Sequence, residues 1–302
     1  YGDHRDLHSF PTRRSSDLLQ TANPPGALPP SFSLNGTNDF LPGVSTTPIS
    51  VNPVSGPRLL GYFDRNSNRA NGARDATLTR ILEQSNGHRI KDFAASSFLR
   101  ARESSRLISS ALDAGPKLTT PFDQGSRVAT QLRMAARLIA ARQTFGMQRQ
   151  VFFVGMGGWD THDNQSPRLI ELTRELDNAL VSFQSTLAEL NIEQQVTTFT
   201  ASDFGRTLTI NRDGTDHGWG GHYLVMGGAV AGGQFVGQWP DYTINGPQDA
   251  GDKGRIIPQL SINEYGAALG SWFGLSDGDL RDVFPDLSNF DDGWRNRYGL
   301  FI

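Results

Sequence analysis

The chain has 302 residues, a formal net charge of −3 and no cysteine. A chain of this length can bury a sizeable core in one domain or two, and its near-neutral charge offers no basic surface for nucleic acid. Without cysteine there are no disulfides or thiolate metal sites, so a metal would need carboxylate, imidazole, carbonyl or water ligands. No apolar run reaches the ~20 residues of a membrane-spanning helix. We therefore expect no nucleic acid partner and no membrane span.

Residues 1–18 read YGDHRDLHSFPTRRSSDL and show no hydrophobic period. This segment resembles the translation of a widely used sequencing-library adapter, which matches it at every position. We therefore expect a non-native segment with sparse regular structure and few buried contacts. Residues 19–302 are then expected to form a single, partial domain whose own N-terminus is missing.

The next part of the chain changes from loop to helix. Residues 19–57 are rich in Pro, Ser, Asn, Gly and Thr, which predicts an extended loop with one or two short strands. Apolar residues spaced by threes and fours predict two helices over 71–114, broken near 86–87, and a third over 125–145. The third helix carries an arginine series that is most simply a solvated face, with a binding patch as the alternative: Arg127, Arg133, Arg137 and Arg142.

A strand, a long helix and a second strand come next. The run QVFFVGM at 150–156 is typical of a buried parallel strand. Ser166 and Pro167 suit the N-cap and first turn of the helix, and residues 196–200 suit the following strand. This order predicts a parallel crossover unit.

The remainder of the chain is expected to add smaller elements. Two short strands are predicted at 223–226 and 234–236, on either side of a glycine-rich turn. A helix is predicted at 262–273, followed by a short helix and a packed tail at 276–302.

Polar residues follow both strands of the crossover unit. Asp160 and His162 in GWDTH follow the first strand, and Asp203 in SDFGRT follows the second. Open α/β sheets bind ligands beyond the carboxyl ends of their strands, so these side chains should converge. The glycine-rich stretch 211–233 adds His217, either in a loop shaped around a bound group or in a turn with solvated side chains.

Carboxylates and imidazoles that meet at adjacent strand ends are the ligands a divalent cation needs. The sequence therefore predicts a metal site built from Asp160, His162, Asp203 and His217. The alternative for Asp160 is a simple turn residue after a strand, since Asp often caps turns.

Other polar residues in these motifs have less defined roles. Asp216 and His222 are candidates for supporting the metal ligands without binding the metal, and His222 is equally a surface residue. Arg206 is either an anion clamp for phosphate or sulfate, or the partner of a local acid. Ser202 is a weak candidate nucleophile because no base is evident beside it.

The motifs WDTH, SDFGRT, GTDHG, GGxVxGG and SINEYGAALGSWFG occur in this order. Their order and spacing resemble the bacterial family called domain of unknown function 1501, over essentially residues 19–302. That family is grouped with the alkaline-phosphatase-like superfamily, whose members use two divalent metals. The resemblance implies an α/β fold with a mostly parallel sheet flanked by helices and incomplete at the N-terminus, divalent metal cofactors such as zinc, manganese or calcium, and export through the twin-arginine route.

Carried onto this chain, the resemblance implies that Asp160 and His162 belong to one metal site. It implies that Asp203 is the Asp of an Asp–His pair and that His217 is the later His. Phe204 stands where the superfamily has the His of that pair, which is usual for this family but implies a reduced or altered metal site. The family commonly has Glu at position 203. The superfamily's first-strand Asp and its Ser or Thr nucleophile would lie upstream of residue 19.

The expected function is that of an exported, periplasmic or secreted metal-dependent hydrolase acting on a phosphate or sulfate ester of a small molecule or polymer. Its nucleophile is expected upstream, so the chain as written is expected to be inactive and to have an uncovered sheet edge or face. The alternative is a non-catalytic envelope protein that keeps the fold and binds a metal or ligand, which the presence of Phe204 favours.

Overall fold

The computed structural model describes residues 14–24, 28–38, 41–43, 45–57, 68–84, 87–290, 294 and 298–302. Over those residues the protein is an α/β structure with a small parallel sheet and two antiparallel strand pairs. The helices are α1 (Arg14–Thr21), α2 (Asn68–Glu83), α3 (Arg89–Ala114), α4 (Arg127–Ala140), α5 (Gln165–Glu189), α6 (Ile262–Phe273) and α7 (Asp277–Val283). The strands are β1 (Ser31–Ser33), β2 (Ile49–Ser50), β3 (Val151–Phe153), β4 (Thr197–Phe199), β5 (Gly205–Asn211), β6 (Gly214–Gly218) and β7 (Val225–Gly227).

The parallel sheet has the strand order β2–β1–β3. Phe32 of β1 pairs with Ile49 and with Phe152 of β3, and the two phenyl rings stack with centroids 5.3 Å apart. Phe32 is fully buried because it lies in the middle strand, and it belongs to the larger of two apolar clusters. The sequence predictions of one or two strands within 19–57 and of a strand within 150–156 are therefore confirmed.

Helices α4 and α5 pack together and supply much of that cluster. Leu138 of α4 and Leu187 of α5 are completely buried, and each such burial contributes about 1.5–3 kcal/mol. The predicted pair of helices broken near 86–87 is confirmed by α2 and α3, and the third predicted helix by α4. Arg127 and Arg133 are exposed, as the solvated-face interpretation requires. Arg137 and Arg142 are instead half-buried and donate to the carbonyls of Leu112 and Ile139, so the interpretation holds for only two of the four arginines.

The start of α5 differs from the prediction. Asn164, with a left-handed φ of 47°, occupies the N-cap, and the helix begins at Gln165, before Ser166. The chain is fixed here by the carbonyl of Asp213, which accepts the backbone N–H of Gln165 at 3.1 Å. A tertiary contact therefore replaces the expected serine cap.

The predicted parallel crossover unit has the right order of elements but the wrong pairing. Strand β3 pairs in parallel with β1, whereas β4 pairs antiparallel with β7. The backbone continues this second pairing beyond the strands, because Thr200 N–H donates to the carbonyl of Leu224 at 3.0 Å. The returning segment 223–227 thus pairs with β4, and among the described residues β4 has no parallel neighbour.

Strands β5 and β6 form an antiparallel hairpin in a segment that was expected to be loop. Arg206 is paired with His217, and Asn211 with Gly214, around a turn in which Arg212 has a φ of 63°. The predicted strand at 223–226 is confirmed as β7, but residues 234–236 do not form a strand.

The prediction for the adapter-like segment is wrong over 14–18, where α1 begins. The Asp17 carboxylate accepts the backbone N–H groups of Ser45 and Thr46, each at 3.0 Å, and Leu18 packs against the smaller apolar cluster. The carboxylate of Asp17 and the apolar side chain of Leu18 therefore join this short helix to the rest of the structure. Residues 1–13 lie outside the described part of the chain.

The C-terminal part closes the structure with capped helices. Ser261 and Ser276 each accept the backbone N–H three residues on, and Glu264 and Asp279 complete the two capping boxes. Beyond α7, Leu287 and Trp294 are buried in the smaller apolar cluster, which confirms the packed tail. None of the helices among the described residues has both the length and the apolarity that crossing a membrane would require.

Candidate metal centre

The site is formed where the β5–β6 hairpin meets the segment after β3. A Cβ on Gly214 would lie 2.2 Å from the carbonyl carbon of His162, so only glycine permits this contact. The backbone N–H of Thr215 donates to the carbonyl of Thr161 at 3.4 Å, which holds the hairpin against the segment. Because Arg206 and His217 are cross-strand partners, both are fixed beside residues 159–162.

Three predicted ligands meet at one point. Asp160 Oδ1 lies 2.9 Å from His162 Nε2 and 2.8 Å from His217 Nε2, and the two imidazole nitrogens are 3.2 Å apart. We call Asp160, His162 and His217 the metal cluster, because each offers one ligand atom and these atoms lie within 4.8 Å of one another. The cluster brings together residues up to 57 positions apart in the sequence.

The cluster lies at the surface, with about half of each side chain accessible: 55% for Asp160, 49% for His162 and 48% for His217. Protein ligands of a first-row metal at bonds of about 2.0–2.2 Å lie roughly 3 to 4 Å apart, so the observed triangle needs only slight widening. Two imidazoles and one carboxylate are also a donor set that such ions accept. The three side chains could therefore hold a metal ion and leave coordination positions open to solvent.

Arg206 is bound to the backbone around the cluster. Its Nη1 donates to the carbonyl of Thr215 at 2.8 Å, and its Nη2 donates to the carbonyl of Trp159 and to Asp160 Oδ1, both at 3.0 Å. Only its buried Nε lacks a hydrogen-bond partner. The guanidinium therefore positions Asp160, and its donors are not arranged as a free clamp for an anion.

Phe204 supports the cluster from the side. Its ring stacks on the imidazole of His217 with centroids 3.9 Å apart and an interplanar angle of 9°. The guanidinium carbon of Arg206 lies 5.3 Å from the centroid of the same ring. Phe204 therefore fixes the plane of His217 by stacking, which requires no metal-binding atom at position 204.

Asp216 faces the other nitrogen of His162. Its Oδ1 lies 3.8 Å from His162 Nδ1 and accepts a hydrogen bond from Asn211 Nδ2 at 3.0 Å, while its Oδ2 lies 3.6 Å from Lys253 Nζ. A carboxylate on the far nitrogen of a ligating imidazole is the usual way to orient that ligand. Asp216 lies beside His162, and its role in supporting a metal ligand stays a prediction.

The hydrogen bond from His217 lowers the pKa of Asp160, and the charges of His162, His217 and Arg206 lower it further. The hydrogen bond from Asn211 likewise lowers the pKa of Asp216, with help from Lys253. Both acids are therefore ionised near neutral pH, as a cation site requires.

The other candidates lie outside the cluster. Asp203 is exposed and does not belong to the group of ligand atoms, because Phe204, its neighbour, is the residue that turns to His217. The charge of Asp203 instead contributes to raising the pKa of Tyr223, although burial of Tyr223 is the larger cause. A role for Asp203 as a ligand stays a prediction.

His222 and Ser202 are also separate from the three ligands. The His222 ring is 5.2 Å from that of Trp239, and its Nε2 lies 3.5 Å from Tyr242 Oη. The Ser202 hydroxyl donates to the carbonyl of Phe204 at 3.1 Å, which is a local turn contact. Neither geometry indicates a nucleophile or a metal ligand.

The sequence did not predict the contacts of Asp216 with Asn211 and Lys253, or the hairpin that carries Asn211. The first strand of the hairpin had a detectable signal in the alternating run RTLTI at 206–210, but its turn did not, because Arg212 and Asp213 form it and Gly214 already pairs with Asn211. The stacking of Phe204 on His217 had no signal in the sequence, since it depends on the twist of the bend before β5.

The fold and the site together define an α/β protein with a surface cluster of one carboxylate and two imidazoles. The family model described as protein of unknown function (DUF1501) matches residues 23–250, and the chain belongs to that family. The family resemblance drawn from the sequence motifs is thus confirmed. No curated protein and no solved structure is similar enough to the chain to count as a match.

Proposed function

We propose that Asp160, His162 and His217 hold a first-row divalent metal ion, and that the protein is a hydrolase-like protein acting on phosphate or sulfate esters. The observation that carries this proposal is the triangle of ligand atoms, with sides of 2.8, 2.9 and 3.2 Å. Zinc and manganese accept imidazole nitrogen, whereas calcium prefers six to eight oxygen ligands. The donor set therefore favours zinc or manganese over calcium.

A metal bound here would polarise an ester oxygen and lower the pKa of a bound water. The protein contributes the positions of the ligands. Arg206 holds Asp160, Phe204 fixes the ring plane of His217, and Asp216 faces His162. Because the cluster is half exposed, an ester on a small molecule or at the end of a polymer can approach it from solvent.

The proposed ester substrate and the proposed export rest on the sequence motifs of the chain. The GWDTH and TDHG motifs are similar to metal-binding segments of the alkaline-phosphatase-like superfamily, which supports an ester substrate and export to the periplasm or beyond. The small parallel sheet β2–β1–β3, with the cluster beyond the carboxyl end of β3, is compatible with that superfamily.

The second candidate is a non-catalytic protein that binds a metal or ligand. It is favoured by one observation: within the described ranges, neither serine nor threonine hydroxyls hydrogen-bond to Asp160, His162 or His217. An ester hydrolase that forms a covalent intermediate needs such a nucleophile beside the metal.

Metal binding tests the proposal directly. We expect the wild-type chain to bind about one equivalent of zinc or manganese. His217→Ala should weaken binding by roughly 100-fold, because it removes one of three protein ligands. His88→Ala is the matched control, since His88 is an exposed histidine that precedes α3. Calorimetric titration of all three proteins provides the measurement, and equal affinity of the wild type and His217→Ala would refute the site.

Turnover then separates the two candidates. The chain and a longer member of the same family are assayed on an aryl phosphate and an aryl sulfate with zinc or manganese. We expect metal-dependent turnover by the longer protein and none by this chain, because no serine or threonine hydroxyl of the described residues hydrogen-bonds to the cluster. If both proteins bind metal stoichiometrically but neither hydrolyses the esters, the non-catalytic candidate is favoured. Equal turnover by both proteins would place the nucleophile within residues 19–302.

A further inference from the structure

Four aromatic rings lie together on the surface beyond β6, and we call them the aromatic shelf: His222, Phe235, Trp239 and Tyr242. The ring of Trp239 is central, with centroids 5.2 Å from His222, 5.8 Å from Phe235 and 5.7 Å from Tyr242. Phe235 and Trp239 are 86% and 63% exposed. Rings grouped in this way without being buried are typical of a binding surface.

The chemistry of the shelf favours a sugar ring. Its side chains are aromatic, and three of the four have polar tips; Tyr242 Oη lies 3.5 Å from His222 Nε2. A pyranose presents polarised C–H bonds on one face, which suit the negative face of an aromatic ring, and hydroxyls at its rim, which suit the polar tips. An aliphatic surface would instead suit a protein helix.

The backbone around and after Tyr242, the last residue of the shelf, is held by hydrogen bonds. Asp241 Oδ1 accepts the backbone N–H and the hydroxyl of Thr243 at 2.9 and 2.6 Å. Further along, Asp249 accepts the backbone N–H groups of Asn245, Gly254 and Arg255 at 2.9 to 3.0 Å. Such pre-organisation reduces the entropy lost on binding.

The shelf is also connected to the metal cluster. His222 lies five positions after the candidate ligand His217, a span of at most about 18 Å. Within it, Gly220 N–H donates to the carbonyl of Ile256 at 2.8 Å. A Cβ on Gly205 would lie 1.7 Å from the Gly220 oxygen, so the connecting loop is in direct backbone contact with the start of β5.

We propose that the aromatic shelf binds a pyranose ring of a carbohydrate, and that an ester group on this carbohydrate is what reaches the metal cluster. The first half of the proposal stands on the shelf alone. The second half rests on the proposed function and names its substrate class: phosphate or sulfate esters of carbohydrates.

The experiment is calorimetric titration of the full chain in EDTA with cellohexaose, laminarihexaose and a κ-carrageenan hexasaccharide. We expect at least one of them to bind, Trp239→Ala to weaken that binding by about tenfold, and Trp239→Phe to retain most of it. Phe93→Ala is the control, because it removes an exposed aromatic ring from α3. Circular dichroism checks that each variant is folded.

Absence of binding by all three sugars at roughly 10 mM would overturn the proposal, as would binding that Trp239→Ala leaves unchanged. A dimer in sedimentation that Trp239→Ala dissociates would also overturn it, because a second copy of the chain would then occupy the shelf. If a sugar binds in EDTA but the separate metal titration shows no metal binding, the sugar-binding role of the shelf is supported and the proposed function is refuted. Metal-dependent ester turnover without sugar binding would support the proposed function and refute the sugar-binding role of the shelf.

Discussion

The helical core and the β5–β6 hairpin are built by different forces. In the core, α4 and α5 bury side chains such as Leu138 and Leu187 completely, and apolar burial supplies the stability. In the hairpin, Ile210 is 77% exposed and the metal cluster is half exposed, so backbone contacts and hydrogen bonds determine the geometry. The stability of the protein and the geometry of its site should therefore respond to different substitutions.

A core substitution should have the largest effect on stability and little effect on the cluster. Leu187→Ala removes a fully buried side chain between α5 and the rest of the apolar cluster, and we expect a loss of about 2–5 kcal/mol in the free energy of unfolding. Denaturant titration measures the loss, and zinc titration of the folded variant should give the wild-type affinity. A weakened affinity in folded Leu187→Ala would show that the two regions are coupled.

A glycine substitution in the hairpin should affect the metal cluster more than the stability of the core. In Gly214→Ala the new methyl group would clash with the His162 backbone, moving His162 away from His217 at a cost of about 1–3 kcal/mol. We expect metal affinity to fall by about tenfold or more, measured by zinc titration. Gly221→Ala is the matched control, since a Cβ there meets nothing within 4 Å. Equal losses in both variants would contradict the role given to Gly214.

The cap of α4 offers a smaller test of the core. Ser126 Oγ accepts the backbone N–H of Ala129 at 3.1 Å and donates to Glu175 Oε1 at 2.7 Å, which ties α4 to α5. Ser126→Ala should lower the free energy of unfolding by about 1 kcal/mol. Thermal unfolding measures it, with Ser126→Thr, which keeps a hydroxyl that can cap the helix and donate to Glu175, as the comparison. Unchanged stability in Ser126→Ala would mean that packing alone fixes the start of α4.

The smallest expected effect depends on pH. Glu189, at the end of α5, accepts the backbone N–H groups of Thr119 and Thr120, and these hydrogen bonds lower its pKa from 4.5 to about 2. A lowered pKa means that the carboxylate stabilises the fold above about pH 4.5, and that this contribution is lost as the pH falls towards 2. Glu189→Gln should therefore be less stable than the wild type at pH 7 and nearly equal to it near pH 2. Unfolding curves at both pH values check this, and a constant difference would contradict it.

The spacing of apolar residues in the sequence predicted the helices and strands that are stabilised by burying those residues. The run at 150–156 and the spacing of Leu176, Leu180, Phe183 and Leu187 report directly on side chains that leave water, so β3 and α5 were predictable. The pairing of β4 with β7 was not, because it depends on which edge a returning segment reaches. The three residues that could hold a metal ion were evident from the motifs GWDTH and TDHG, since histidines are few and follow strand-like runs.

The rest of the site depends on the direction in which each side chain points, which cannot be read from the residue types in the sequence. Asp203 and Phe204 are neighbours in one motif, and whichever of them faces His217 is decided by the bend before β5. In the structure the phenyl ring faces it, and the carboxylate does not join the cluster. The same applies to Arg206, whose hydrogen bonds to the carbonyls of Trp159 and Thr215 exist only once the hairpin is docked.

The stacking of Phe204 on His217 also gives the site its own spectroscopic reporter. With the two rings nearly parallel and their centroids 3.9 Å apart, the ring current of Phe204 shifts the carbon-bound protons of His217 upfield in the NMR spectrum. An exposed histidine such as His88, for which the structure shows no such neighbour among the described residues, keeps ordinary shifts. The resonances of His217 can therefore be followed individually during a titration with diamagnetic zinc, and their movement or broadening reports directly on this imidazole.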